Sequence, residues 1–173
     1  MRSFALAIAA LILVSSCTDD PEPIEPTASA TTEPTAPSMP EQAREGSPEG
    51  AAAFVSHYIR ILNYAASTGD LAELSRLSAD ECDGCRTYID LYRDVHAAGG
   101  YFRGGDWKAS NVELEIHKKT TDVFVTVHSD GGKVKPSADR KLEDGKPVNG
   151  DVVFEVDTAA KDRRVKRFER LEE

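Results

Sequence analysis

This sequence lacks the excess of positive charge that points to a nucleic-acid-binding face. Its 21 lysines and arginines stand against 30 acidic residues, for a net charge of -9. Nucleic acid is therefore not an expected partner. There is also no apolar run of about 20 residues, the length that spans a bilayer. The one sustained apolar stretch, Phe4 to Val14, is shorter than that and follows Arg2, which is the layout of a signal peptide. Just beyond it the sequence lacks the A-x-A-like site of an ordinary secretory signal. Cysteine is scarce, with three in the chain, and tryptophan occurs once.

What stands at the expected cleavage point is Val14-Ser15-Ser16-Cys17, an aliphatic residue, two small residues and a cysteine. That order is a lipobox. The reading is a signal peptide over 1–16 and a processed chain that starts at Cys17, its thiol carrying diacylglycerol and its amine, in some bacteria, a further acyl group such as palmitate. Two or more chains exceed the marginal affinity of one, since each buried methylene contributes about 0.8 kcal/mol. The expected location is the cell membrane, lipid-anchored, on the extracytoplasmic side, with the membrane itself as a partner.

Residues 17–49 read as a tether. Between 18 and 49 lie seven of the nine prolines and eight acidic side chains against Arg44 alone, with Ile24 and Met39 as the sizeable apolar groups. Such a segment buries too little apolar surface to offset the entropy of ordering it, so disorder with a polyproline bias is expected. At about 3.1 Å per residue its upper reach is roughly 100 Å. The rest, 50–173, is sized for one domain and is nearly balanced in charge, with 19 basic and 22 acidic residues.

Within that domain Ser47-Pro48-Glu49 predicts a helix start, with a hydroxyl cap, a proline in the first turn and a carboxylate at the positive end of the dipole. Phe54, Tyr58, Ile61, Leu62 and Ala65 then repeat at helical spacing up to Gly69. Asp70 with Glu73 predicts a capping box for a short second helix, and Ser78 with Glu81 another for a third helix from about 81 to 98, ended by Gly99-Gly100. Beyond that the period falls to two. Val112, Leu114 and Ile116 face one way and Glu113, Glu115 and His117 the other, and Val123, Val125 and Val127 predict the return strand of a hairpin. VVFEV at 152–156 is a further strand, and the segment around Val165 and Phe168 reads as an edge strand. Helices first and an antiparallel sheet afterwards is an α+β layout. The order of elements is similar to the cone of the nuclear transport factor 2-like fold, three helices packed on a curved antiparallel sheet.

The run AAAFVSHYIRILNYAASTGDLAELSRLS, then CDGC, then AAGGYFRGGDW, resembles a family of uncharacterised actinobacterial lipoproteins built on a domain of unknown function. The match covers about 50 to 107. That resemblance implies location and domain limits and carries no catalytic assignment.

With Cys17 lipidated, Cys82 and Cys85 form an even pair, most simply a disulfide in an oxidising compartment. The alternative is a thiol-disulfide redox site, since C-x-x-C at a helix start is the motif such proteins use. Two helices precede this motif where a thioredoxin-like site follows a strand, and Asp80, Glu81 and Asp83 raise thiol pKa. No metal site is expected, because two thiolates need two more ligands and His57, His96, His117 and His128 are scattered. A cone-fold isomerase or dehydratase would use a histidine or aspartate in its cavity. Here His57 reads as a helix-flank residue, His96 as a complement to the helix dipole, and His128 as a strand-end residue. Tyr101, Phe102 and Trp107 lie among Gly99, Gly100, Gly104 and Gly105, and they mark the candidate mouth of a binding site. The function expected is a non-catalytic, cofactor-free binding domain for an envelope protein or a small hydrophobic ligand.

Overall fold

The computed structural model describes residues 34–159 and 161–171. The expected signal peptide, Cys17 and the expected tether up to residue 33 lie outside the described residues, and no described helix is long and apolar enough to cross a membrane.

Helix α1 spans Pro48–Thr68, and its ends follow the local chemistry. Ser47 Oγ accepts from the Gly50 N–H at 3.0 Å, and Gly69 closes the helix in the left-handed region at φ 77°. Helix α2, Ala72–Leu77, starts differently from the expected box. Asp70 Oδ1 accepts from the Ala72 N–H at 3.0 Å, Leu71 occupies the cap position, and Glu73 pairs with Arg76 instead of reaching back. Helix α3 spans Asp83–Ala97, later than its predicted start. Ser78 does not cap it, because its hydroxyl meets the Tyr58 hydroxyl at 2.8 Å and donates to Leu74 O, while the Ala79 N–H is taken by Val165 O. The cap falls to Cys82, whose sulfur accepts from the Cys85 N–H at 3.2 Å.

Seven strands follow: β1 Tyr101–Arg103, β2 Lys108–Ile116, β3 Thr120–Ser129, β4 Lys133–Lys135, β5 Glu143–Asp144, β6 Val148–Asp157 and β7 Val165–Arg170. The main sheet is an antiparallel meander, β2-β3-β6-β7, and a second small sheet has the order β1-β4-β5. The architecture is thus α+β, three helices with two antiparallel sheets, and β7 is an edge strand as expected. The long polar stretch after β3 supplies β4, which leaves the meander to pair with β1, and β5, which pairs with β4.

The core forms where α1 lies on the sheet. Phe54, Tyr58, Ile61 and Leu62 meet Val123, Val125, Val152, Phe154 and Val156. Phe168 on β7 stacks on Phe154 at 4.7 Å between ring centroids and on Tyr88 of α3 at 5.0 Å, so one ring joins sheet and helix. The first turn of α3 presses on β7 so closely that a Cβ on Gly84 would sit 1.8 Å from Phe168 O. That contact explains the glycine between the two cysteines.

Two expectations are corrected. Val112, Leu114 and Ile116 pair with Val125, Val123 and Thr121 and so share the face of that buried row, yet all nine residues of β2 are exposed. The edge strand runs past the cover that the helices supply. Residues 34–49, read from the sequence as part of a disordered tether, instead belong to the folded unit, which begins at Pro34. Glu41–Arg44 form a 3-10 turn with Ala43 buried, and Met39 packs on the core. The cause lies more than a hundred residues away. The guanidinium of Arg163, 4% exposed, donates to Ala43 O at 3.1 Å and Glu45 O at 2.8 Å, and also to Asp157 O and Thr158 O, each at 2.8 Å.

Candidate functional site

An apolar cleft of about 380 Å³ opens between α1, α3 and the small sheet. Its walls begin with helical spacing: Tyr88, Leu91 and Tyr92 stand at i, i+3 and i+4 on α3 and present one face. Phe102 on β1 meets Tyr92 edge-on at 5.3 Å, and Trp107 meets Tyr88 edge-on at 5.4 Å.

Trp107 lies outside any strand, and Asn63 of α1 holds it in place. The Asn63 amide donates to Trp107 O at 3.0 Å, while its carbonyl accepts from the Trp107 N–H at 2.9 Å. The side chain thereby serves as a strand partner for one residue, satisfying a backbone pair that would otherwise be lost on burial. The cleft floor is backbone. A Cβ on Gly132 would lie 2.5 Å from Gly104 C, and one on Gly105 would lie 2.8 Å from Gly131 O, so the two Gly-Gly pairs sit directly against one another. Ser129 fastens them, donating to Gly105 O at 2.6 Å and accepting from the Gly131 N–H at 3.0 Å.

Of the three aromatics that mark the predicted mouth, Phe102 and Trp107 line this cleft and Tyr101 does not. Strand alternation explains the exception: Tyr101 and Arg103 share the opposite face of β1, where the Arg103 guanidinium lies 5.3 Å from the Tyr101 ring centroid. The sequence reading missed Asn63, Leu91, Lys146 and Arg170, which also line the cleft. The spacing from Tyr88 through Leu91 to Tyr92 was a readable signal. The arrival of Lys146 from the β5–β6 connection and of Arg170 from β7 was not.

Cys82 and Cys85 are joined in a disulfide, and both residues are buried at 1% exposure. Their ring pins the start of α3 beneath the turn that follows α2.

The histidines separate by environment. His96 Nε2 lies 2.8 Å from Ala66 O, a tie between α3 and α1, and His128 is exposed at a strand end. His117 joins Glu115 and Asp122 in a trio whose ligand atoms lie within 4.8 Å of one another, a cluster that sequence spacing did not reveal. Arg167 Nη2 already sits 2.9 Å from Asp122 Oδ2, supplying the positive charge that the carboxylates attract. His57 departs most from expectation. It is fully buried, because the 3-10 turn and α2 close around the flank of α1 that helical spacing left open. Neither ring nitrogen has a hydrogen-bond partner among the described residues.

Burial holds the His57 imidazole below its ordinary pKa, with Arg60, Arg76 and Arg44 acting in the same direction and Glu73 opposing. The folded state therefore binds this proton less readily than the unfolded chain, whose value is near 6.5. Stability from this group is complete above that value and is lost as pH falls through it. The slope this group adds is at most about 1.4 kcal/mol per pH unit, the limit for one proton. Urea unfolding of the wild type and His57→Leu between pH 7.5 and 5 checks this, and the variant is expected to have the flatter profile. Equal slopes in the two proteins would contradict it.

Fold and site together define an α+β domain with an aromatic cleft beside its helical layer. The chain belongs to a family of unknown function (DUF6318), whose model matches residues 26–157. No curated protein matches the sequence. Among solved structures, the intermembrane space region of the chloroplast protein ARC6 superposes with a TM-score of 0.53 at 11% identity, covering 73% of this chain and 97% of that one. The two share a fold. A protein of the NTF2-like family from Streptomyces avermitilis, described as a dehydratase, aligns with a TM-score of 0.40 at 16% identity, over 70% of this chain and 95% of that one.

Proposed function

We propose that this protein is a non-catalytic binding module, tethered through lipid on Cys17 to the extracytoplasmic face of the cell membrane, that holds its ligand in the cleft walled by Tyr88, Tyr92, Phe102 and Trp107. In this reading the helices and the curved meander form a nuclear transport factor 2-like cone, with the cleft at its mouth. The cleft itself carries the proposal. It combines an apolar, aromatic wall with a few polar groups, the composition of small-molecule sites, and its volume falls within the usual range of about 300 to 1,000 Å³. Its described lining offers Asp106, Lys146 and Arg170 as charged groups and contains neither histidine nor cysteine, which favours binding over acid-base or thiol chemistry. The deep burial of the Cys82–Cys85 pair likewise favours a staple over exchange with external thiols.

One experiment addresses both halves of the reading. The full chain expressed in a bacterial host is expected in the membrane fraction with an acylated N-terminal peptide, and a chain lacking residues 1–17 in the soluble fraction. Trp107 is the sole tryptophan and lines the cleft, so its emission reports occupancy there directly. Titrating the soluble form with a panel of small apolar compounds is expected to give saturable shifts that Phe102→Ala weakens at least fivefold. Emission unmoved by every compound would sink the binding reading, and an N-terminal peptide of the full chain without acyl groups on Cys17 would sink the anchor.

A further inference from the structure

The polar groups around the cleft divide into those already occupied and those left open. Asn63 is fully engaged with the Trp107 backbone, and Ser129 with Gly105 and Gly131. The Ser67 hydroxyl donates to Tyr64 O at 3.0 Å. What remains is the hydroxyls of Tyr88 and Tyr92 and the charged groups of Asp106, Lys146 and Arg170. Some cations elsewhere are taken up, Lys133 by Asp144, Arg140 by Glu143, Lys166 by Asp157, and Arg167 by Asp122, Glu155 and Glu169, while others such as Arg60, Lys108 and Lys141 stand in no described ion pair; what sets Lys146 and Arg170 apart is their place on the cleft. The side chains of Lys146 and Arg170 make no hydrogen bond or ion pair with the described residues, although the chain as a whole has an excess of acid. Two unpaired cations therefore border an aromatic wall, against one carboxylate.

We infer that the ligand is a small amphipathic anion, with an apolar body laid against Trp107, Tyr88 and Phe102 and an acidic head, carboxylate or sulfonate, met by Arg170 and Lys146. This inference rests on the binding-module reading and adds the ligand's charge to it. Guanidinium suits such a head because its planar fork matches two oxygens at once, and lysine adds a flexible point charge. Both cations are exposed, so the head stays at the wet rim while the body enters the cleft. Electrostatic attraction of this kind weakens with salt.

The test uses three monomeric probes that share a tail and differ in head: decanoate, decanol and decyltrimethylammonium. Each is titrated into the soluble chain lacking residues 1–17, with Trp107 emission as readout. Decanoate is expected to bind at least tenfold more tightly than decanol, and the cation more weakly than either. In a Lys146→Gln, Arg170→Gln variant the preference of decanoate over decanol is expected to fall at least fivefold while decanol binding holds. Both positions are exposed and free of described partners, so the fold is expected to survive, and an unchanged melting temperature verifies it. Equal binding of decanoate and decanol would overturn the inference and leave the binding module standing. Silence of all three probes would overturn both. A response to phosphatidylglycerol vesicles without any response to monomeric decanoate would also overturn it, since the occupant would then be a membrane surface.

Discussion

Arg163→Ala is expected to lower the unfolding free energy by about 3 kcal/mol and to release the chain around Arg44 from the body of the domain. Four backbone carbonyls, at Ala43, Glu45, Asp157 and Thr158, converge on one guanidinium, which also lies 5.8 Å from the Phe54 ring centroid. A charge-assisted hydrogen bond contributes about 1.5 to 3 kcal/mol, and losing the donor leaves buried carbonyls unpaired. The sum is cut by the water that reaches the more exposed acceptors and by the burial cost that the lost cation no longer incurs. Arg163→Lys is expected to recover little, since one ammonium cannot fill a planar five-donor fork. Urea denaturation measures the first effect. Limited trypsin digestion measures the second, with cleavage after the exposed Arg44 accelerating in the variant. Stability within 1 kcal/mol of wild type, with unchanged cleavage, would contradict both.

Phe168→Ala is expected to cost more, about 3 to 5 kcal/mol, the usual range for an aromatic ring deleted from a core. The ring is 3% exposed, stacks on Phe154 and Tyr88, and meets Tyr58 and Trp107 edge-on at 6.4 and 5.8 Å. Its removal takes the backing from two walls of the cleft at once. Near-ultraviolet circular dichroism is therefore expected to weaken together with stability, and Phe168→Leu, which refills part of the volume without the ring, to fall between. Loss of stability with undisturbed Trp107 emission would mean that cleft and core are not coupled in this way.

Local chemistry made much of this fold legible. Ser47, Pro48 and Gly69 mark the ends of α1 because capping needs only residues a few positions apart. The alternation around Val112 and Val123 marks the β2–β3 hairpin for the same reason. What sequence reading missed depends on distant partners. The stretch from Pro34 to Glu49 has the composition of a tether, and no nearby residue reveals that Arg163 receives it. His57 looked like a flank residue because a helical wheel cannot show that a second element closes over that side. The cleft was half legible: Phe102 and Trp107 stood out among the glycines, while Lys146 and Arg170 reach it from separate turns of the chain. Tyr101 was separable from Phe102 by strand alternation, which residue type alone does not convey.

The Arg163 clamp also sets how the domain responds to mechanical load. A pull on the chain from its N-terminal side reaches Ala43 and Glu45 before it reaches α1, and passes through one side chain to the Asp157–Thr158 turn at the end of β6. The bonds to Ala43 and Glu45 then share the force instead of breaking one after another, and the first turn of α1 is sheltered from being peeled off the sheet. A domain clamped this way tolerates tension on its N-terminal side while the cleft, on another part of the molecule, keeps its shape.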